Sequence, residues 1–142
     1  MRLGNWLTAD QGRSLLPNSQ GDSLRSKRNY AILAFLIGCG LRRGELLALM
    51  ASSIQLREDH WVIADLHGKA GHIRMVPIPL WVKEAVGRWT EASGIKEGCL
   101  FRAINKSGKI WGQGMTPKAL WEIVKSAAAA AGIDKLAPHD LR

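Results

Sequence analysis

The sequence predicts an α+β fold, mostly helical, with one small three-stranded antiparallel sheet, in a single domain spanning residues 1–142. Three observations predict it. An apolar run, Ala31 to Ile37, lies inside a segment that Ser23 opens and Gly38 closes. Between residues 53 and 78, three short strand-like segments follow one another across tight turns. Two later segments, 80–93 and 116–131, carry apolar stripes at helical spacing. The apolar fraction of 46% and the charged fraction of 23% are ordinary for a globular chain, and its length is enough to bury a core.

Residues 1 to 22 read as a lead-in and a first short helix. Thr8-Ala9-Asp10-Gln11 has the capping-box pattern, with Thr at the cap and Gln three residues on; Pro17-Asn18 ends that helix. A long helix then runs from about Ser23 to Gly38. Its second half, from Tyr30, is apolar on every side and therefore buried all round. A second helix is expected over Arg42 to Met50. Ser53 to Arg57, Trp61 to Leu66 and His72 to Ile78 are the three strands, with Glu58-Asp59-His60 and Gly68-Lys69-Ala70-Gly71 as turns. Helix returns over Leu80 to Ser93, with Val82, Ala85, Val86 and Trp89 on one face and Gly94 as the stop. Leu100-Phe101 and Lys109-Ile110-Trp111 flank a polar loop and form a candidate hairpin. Thr116-Pro117 opens the last helix, whose buried face is Leu120, Ile123, Val124, Ala127, Ala128 and Ala131, up to Gly132.

The formal net charge is +8 and the isoelectric point is near 10. So basic a domain suits a polyanionic partner, usually nucleic acid, although soluble proteins without one are also basic. The cations are spread along the chain, which argues against a disordered basic arm. No apolar run is long enough to span a bilayer, and the first residues lack a signal-peptide core. The expectation is a cytoplasmic protein with no membrane partner. Cys39 and Cys99 have no paired spacing and read as reduced core thiols.

Three places can carry chemistry. Arg42 and Glu45 are three apart, so on a helix Glu45 can orient the Arg42 guanidinium, and a guanidinium so held suits a phosphate. The alternative is a solvated ion pair. Lys69 sits in a glycine-bounded turn, where a lysine either reaches a ligand or is simply exposed. His139 and Arg142 form His-x-x-Arg after Pro138; histidine moves protons near neutral pH, and the alternative is a histidine at a helix start with no such task.

Gly40-Leu41-Arg42-Arg43-Gly44-Glu45-Leu46, then Gly68-Lys69 followed by Arg74-Met75-Val76-Pro77-Ile78, then His139-Asp140-Leu141-Arg142, resembles the catalytic domain of tyrosine recombinases, the phage integrase family. The resemblance covers about Leu7 to Arg142, and three motifs in this order and context are highly specific. It implies prokaryotic, nucleoid-associated DNA breakage and rejoining, used in site-specific recombination or integration. A tyrosine attacks the scissile phosphate, leaving a 3′-phosphotyrosyl link and a 5′-hydroxyl, with no metal, ATP or other cofactor. By the same resemblance Arg42 and Arg142 clamp the non-bridging oxygens. Lys69 protonates the leaving 5′-oxygen, and His139 assists proton transfer. Glu45 holds Arg42, while Arg43 and Arg74 are candidate contacts to the DNA backbone. The implied partners are double-stranded DNA and, for a full-length protein, other recombinase subunits in a synaptic complex.

The family's nucleophile follows the His-x-x-Arg motif, whereas the single tyrosine here is Tyr30, which reads as a core aromatic. The expectation is a front portion of a catalytic domain, without the core-binding domain or the nucleophile segment, and inactive alone. Apolar surface left uncovered by further helices would favour self-association. The alternatives are a non-catalytic DNA-binding or regulatory module on the same fold, a nucleophile donated by a partner subunit, and a basic protein that binds only another protein.

Overall fold

Helix α1, Leu24–Gly38, runs through the middle of the core, and Ala31 to Leu36 are almost wholly buried. The structure, a computed structural model, describes residues 2–3, 7–8, 22–67 and 73–130. The element order is β1 (Arg2–Leu3), β2 (Leu7–Thr8), α1, α2 (Arg43–Leu47), β3 (Ile54–Arg57), β4 (His60–His67), β5 (Ile73–Pro77), α3 (Leu80–Ser93), β6 (Ala103–Ile104), β7 (Ile110–Trp111) and α4 (Pro117–Ala130). Strands β1 and β2 pair antiparallel within the expected lead-in. The expected helix up to Pro17 lies outside the described residues.

Ser23 caps α1, its hydroxyl accepting the Ser26 N–H at 3.0 Å. At the far end Gly38 lets α3 approach. A Cβ there would collide with Val82 Cγ2 and lie 2.9 Å from Trp81 Cζ2. Gly40, with φ +64°, then turns the chain toward α2. Helix α2 is shorter than the expected Arg42 to Met50. Leu49 and Ala51 leave it to bond across the molecule: Leu49 O accepts the Leu100 N–H at 2.9 Å, and Ala51 N–H donates to Gly98 O at 2.8 Å. Tertiary pairing thus overrides local helical preference.

The sheet has the order β3-β4-β5, antiparallel throughout. The first turn is two residues, Glu58 and Asp59, both with positive φ, so His60 belongs to the strand and pairs with Arg57. In β4 the pairing runs from Ile63↔Val76 to Leu66↔Arg74, one extra residue on the β4 side. Asp65, at φ 56°, lies in this bulge. Ile63 and Leu66 are three residues apart and would otherwise face opposite ways. The bulge lets both reach the core, where they are 0% and 4% exposed.

Helix α3 packs along α1 through Val82, Ala85, Val86 and Trp89 and ends at Gly94 with φ 73°. Phe101 sits between two aromatics. It meets Phe35 edge-on at 5.9 Å and stacks with Trp89 at 6.4 Å. That burial keeps Leu100 and Phe101 out of the small hairpin, whose first strand is instead Ala103–Ile104. Arg25 Nη2 donates to Asn105 O at 2.7 Å, and the buried Arg28 donates to Arg102 O at 3.0 Å. Burial, reinforced by neighbouring Arg25, lowers the Arg28 pKa to about 10. Helix α4 opens on Thr116, whose hydroxyl accepts the Ala119 N–H at 3.1 Å, and it packs against α2. Its expected buried face holds from Leu120 to Ala128; Ala131 and Gly132 lie outside the described residues.

Trp89 Nε1 donates to Leu100 O at 2.8 Å inside the core. Trp89→Phe keeps most of the packing but leaves that carbonyl unpaired, at an expected cost of about 2–3 kcal/mol. Urea unfolding reads the loss, and an unchanged midpoint would contradict it.

Both described cysteines are free and partly buried. Burial pushes the Cys39 thiol up from 9.0 to about 12. Between those pH values the unfolded chain ionises while the folded chain keeps its proton, so this group removes stability as pH rises through the window. At pH 8 the folded protein should alkylate at Cys39 roughly a thousandfold more slowly than in denaturant. Peptide mass spectrometry after timed iodoacetamide treatment checks this, and equal rates would refute it.

Candidate functional site

The site is built around Glu45, which is 5% exposed at the start of a five-residue helix. Arg42 is the residue preceding α2, with extended backbone at φ −78° and ψ 157°. Glu45 is the third residue of the helix and reaches back, its Oε1 accepting the Arg42 main-chain N–H at 2.8 Å. Its second partner comes from the sheet. Arg74 Nη2 donates to Oε1 at 3.1 Å and to Oε2 at 3.0 Å.

This geometry corrects one expectation. Among the described residues, Glu45 holds the Arg42 backbone and the Arg74 guanidinium, not the Arg42 guanidinium. The reason is local. Side chains three apart share a face only when both residues are helical, and Arg42 precedes the helix. The Arg42 and Arg43 side chains are exposed, at the end of α2 where the helix dipole is positive. Two exposed guanidinium groups side by side at this helix start make an environment suited to an anion.

Arg74 is about half exposed, at 49%, and its guanidinium is turned toward Glu45. The signal that could have located it is the alternation of β5. Arg74, Val76 and Ile78 share one parity, and Ile78 and Val76 belong to the core or pack on it. A half-exposed cation of that parity can reach a buried acid, and among the described residues Glu45 is the buried acid, the other buried charge being Arg28. Lys69, His139 and Arg142 lie outside the described residues. In sequence Lys69 falls between β4 and β5, the two strands that carry the bulge and Arg74.

Tyr30 is partly buried against the core, with the Arg88 guanidinium 5.5 Å from its ring centre. Among the described residues no cluster of His, Cys, Asp and Glu is placed to hold a metal ion. Nor is any helix there long and apolar enough to cross a membrane.

The family model described as the phage integrase family matches residues 5–142. The chain belongs to that family. Tyrosine recombinase XerD of Proteus mirabilis is 33% identical over 149 aligned positions, covering 99% of this chain and 45% of that protein. Tyrosine recombinase XerC of Pseudomonas fluorescens is 28% identical, with the same coverage. Among solved structures, XerA recombinase superposes with a TM-score of 0.67 at 23% identity, over 95% of this chain and 45% of that one. XerH recombinase bound to its difH substrate, in a pre-cleavage complex, superposes with 0.70 at 17% identity over 99% and 41%. At these identities the structural matches establish the fold: mixed helices with a small antiparallel sheet, as in tyrosine recombinases. This integrase-family chain spans less than half the length of the recombinases it matches.

Replacing Glu45 tests the site. Glu45→Ala removes the acceptor at the start of α2 and the partner of Arg74, and should destabilise the fold by about 1–3 kcal/mol. Glu45→Gln retains an oxygen for the Arg42 N–H and should lose about half as much. Equal denaturation midpoints for wild type and Glu45→Ala would show that the carboxylate does not fix this end of α2.

Proposed function

We propose that this chain supplies the phosphate-binding part of a tyrosine-recombinase active site and binds duplex DNA through it. The observation that carries the reading is the start of α2: exposed Arg42 on a backbone fixed by buried Glu45, within a motif that the family match spans. In this reading Arg42 and Arg142 hold the non-bridging oxygens of the scissile phosphate. Charge grows there in the transition state, so donors fixed in advance lower the barrier without reorganising. Lys69 protonates the departing 5′-oxygen and His139 exchanges a proton with the attacking hydroxyl. Arg43 lies beside the site and contacts DNA backbone.

The whole protein then breaks and rejoins DNA by transesterification, keeping the bond energy in a phosphotyrosyl link. We place the nucleophile outside these 142 residues. Tyr30 packs against the core under Arg88, a poor position from which to attack a phosphate. Residues 1–142 act as one domain, without cofactor, on bacterial chromosomal or mobile-element DNA in the cytoplasm, with further recombinase subunits completing the synapse. The bacterial origin of the relatives and the DNA held by the XerH structure support this assignment.

Fluorescence anisotropy with labelled duplexes of unrelated sequence tests the binding step. Log affinity should fall linearly with log salt. Arg42→Ala should weaken every duplex by a similar factor and reduce the salt slope by about one. No binding at low salt would end this reading. A trap for covalent adducts on denaturing gels tests the chemistry. The chain alone should give none, and an adduct abolished by Tyr30→Phe would overturn the assignment of Tyr30.

A further inference from the structure

Glu45 has two possible clients at one helix start, and the structure favours the more distant in sequence. The carboxylate is nearly buried, and it meets the main chain of Arg42 and the guanidinium of Arg74. With Arg74 on both of its oxygens, its charge is matched from the sheet side. The only hydrogen bond it takes from Arg42 among the described residues is the main-chain N–H. The Arg42 side chain stays exposed.

We propose that Arg74 is a positioning residue for the phosphate site: by occupying the Glu45 carboxylate it keeps the Arg42 guanidinium available to an anion and ties β5 to the start of α2. The proposal rests on the reading that Arg42 binds DNA phosphate.

Three observations carry it. First, Arg74 sits on the inward parity of β5, placed there opposite Leu66 by the bulge at Asp65. An arginine serving chiefly as a surface contact to DNA has no need of that face. Second, an unmatched buried carboxylate is costly, and Arg42, whose main-chain N–H already meets Oε1, is the residue placed to supply a replacement cation. Without Arg74, Glu45 would draw in the Arg42 side chain and neutralise the group that should meet the phosphate. Third, β5 is the return strand of the hairpin that carries Lys69 in sequence, five residues before Arg74. A single ion pair therefore links the hairpin to the Arg42 end of α2.

A double-mutant cycle on the full chain separates this role from a direct contact. Arg74→Met should weaken binding of a labelled duplex about five- to tenfold in the wild-type background, and the loss should largely vanish in Glu45→Gln, where no carboxylate remains to capture Arg42. Arg74→Lys should restore part of the affinity by keeping a cation on Glu45. Equal losses in both backgrounds would mean that Arg74 touches DNA itself, and would overturn the proposal. So would an unaltered affinity of Arg74→Met where Arg42→Ala binds weakly.

A second readout needs no DNA. In nitrogen-15 NMR spectra Arg74→Met should shift the Arg42 main-chain amide and speed its hydrogen exchange, with most other amides unmoved. An unchanged Arg42 amide overturns the coupling. If Arg42→Ala binds duplex as well as wild type, the phosphate-site reading itself fails, and the amide result still decides whether Arg74 acts through Glu45.

Discussion

A carboxylate almost stripped of water must be matched on each oxygen, and the matching groups then become fixed in space. Glu45 is such a group, and its partners come from two different parts of the fold. One is the amide that starts α2; the other is a guanidinium on the return strand of the sheet. Helix α2 is only five residues long, too short to hold its own geometry in water. Its orientation comes from what it is tied to: Glu45 at its start, Leu46 beneath it in the core, and the pairing of Leu49 with Leu100 just past its end. The exposed arginines at its start inherit their positions from those ties.

Behind this lies a core that leaves little freedom. Helices α1 and α3 meet so closely that Gly38 has no room for a side chain. The Phe35, Phe101 and Trp89 rings pack together in this core, and a tryptophan hydrogen bond among them anchors the segment around Leu100. That segment in turn pairs with the chain leaving α2. Hydrophobic packing on one side of the molecule is thereby transmitted to the site by main-chain hydrogen bonds, whose geometry tolerates little drift.

Much of this was legible in the residues. Ser23 and Gly38 bracket α1, Gly94 stops α3 and Thr116-Pro117 opens α4, because caps and stops act locally and leave a local trace. The three strands and their order were legible too, since alternation and turn residues report on the chain itself. What was hidden depends on distant partners. The early end of α2 is set by residues 98–100, some fifty positions away. Leu100 and Phe101 look strand-like but are claimed by the aromatic core. The closeness of Arg42 and Glu45 followed from their spacing, yet which atoms meet depended on whether Arg42 was inside the helix or ahead of it. The Glu45–Arg74 contact joins elements separated by a strand pair, and only the parity of β5 hinted at it. Lys69, His139 and Arg142 fall outside the described residues, so their resemblance to a recombinase site rests on sequence.

The bulge at Asp65 gives the two strands that it joins different tolerance for insertion and deletion. Between Ile63 and Leu66, removal of one residue would erase the bulge and leave Leu66 two places from Ile63, on the same face and still opposite Arg74. On β5 there is no spare residue: loss of Met75 would set Arg74 beside Val76 with opposite parity and turn it away from Glu45. The residue count of β5 is therefore held by one buried carboxylate, while β4 carries a residue that the ladder itself does not require.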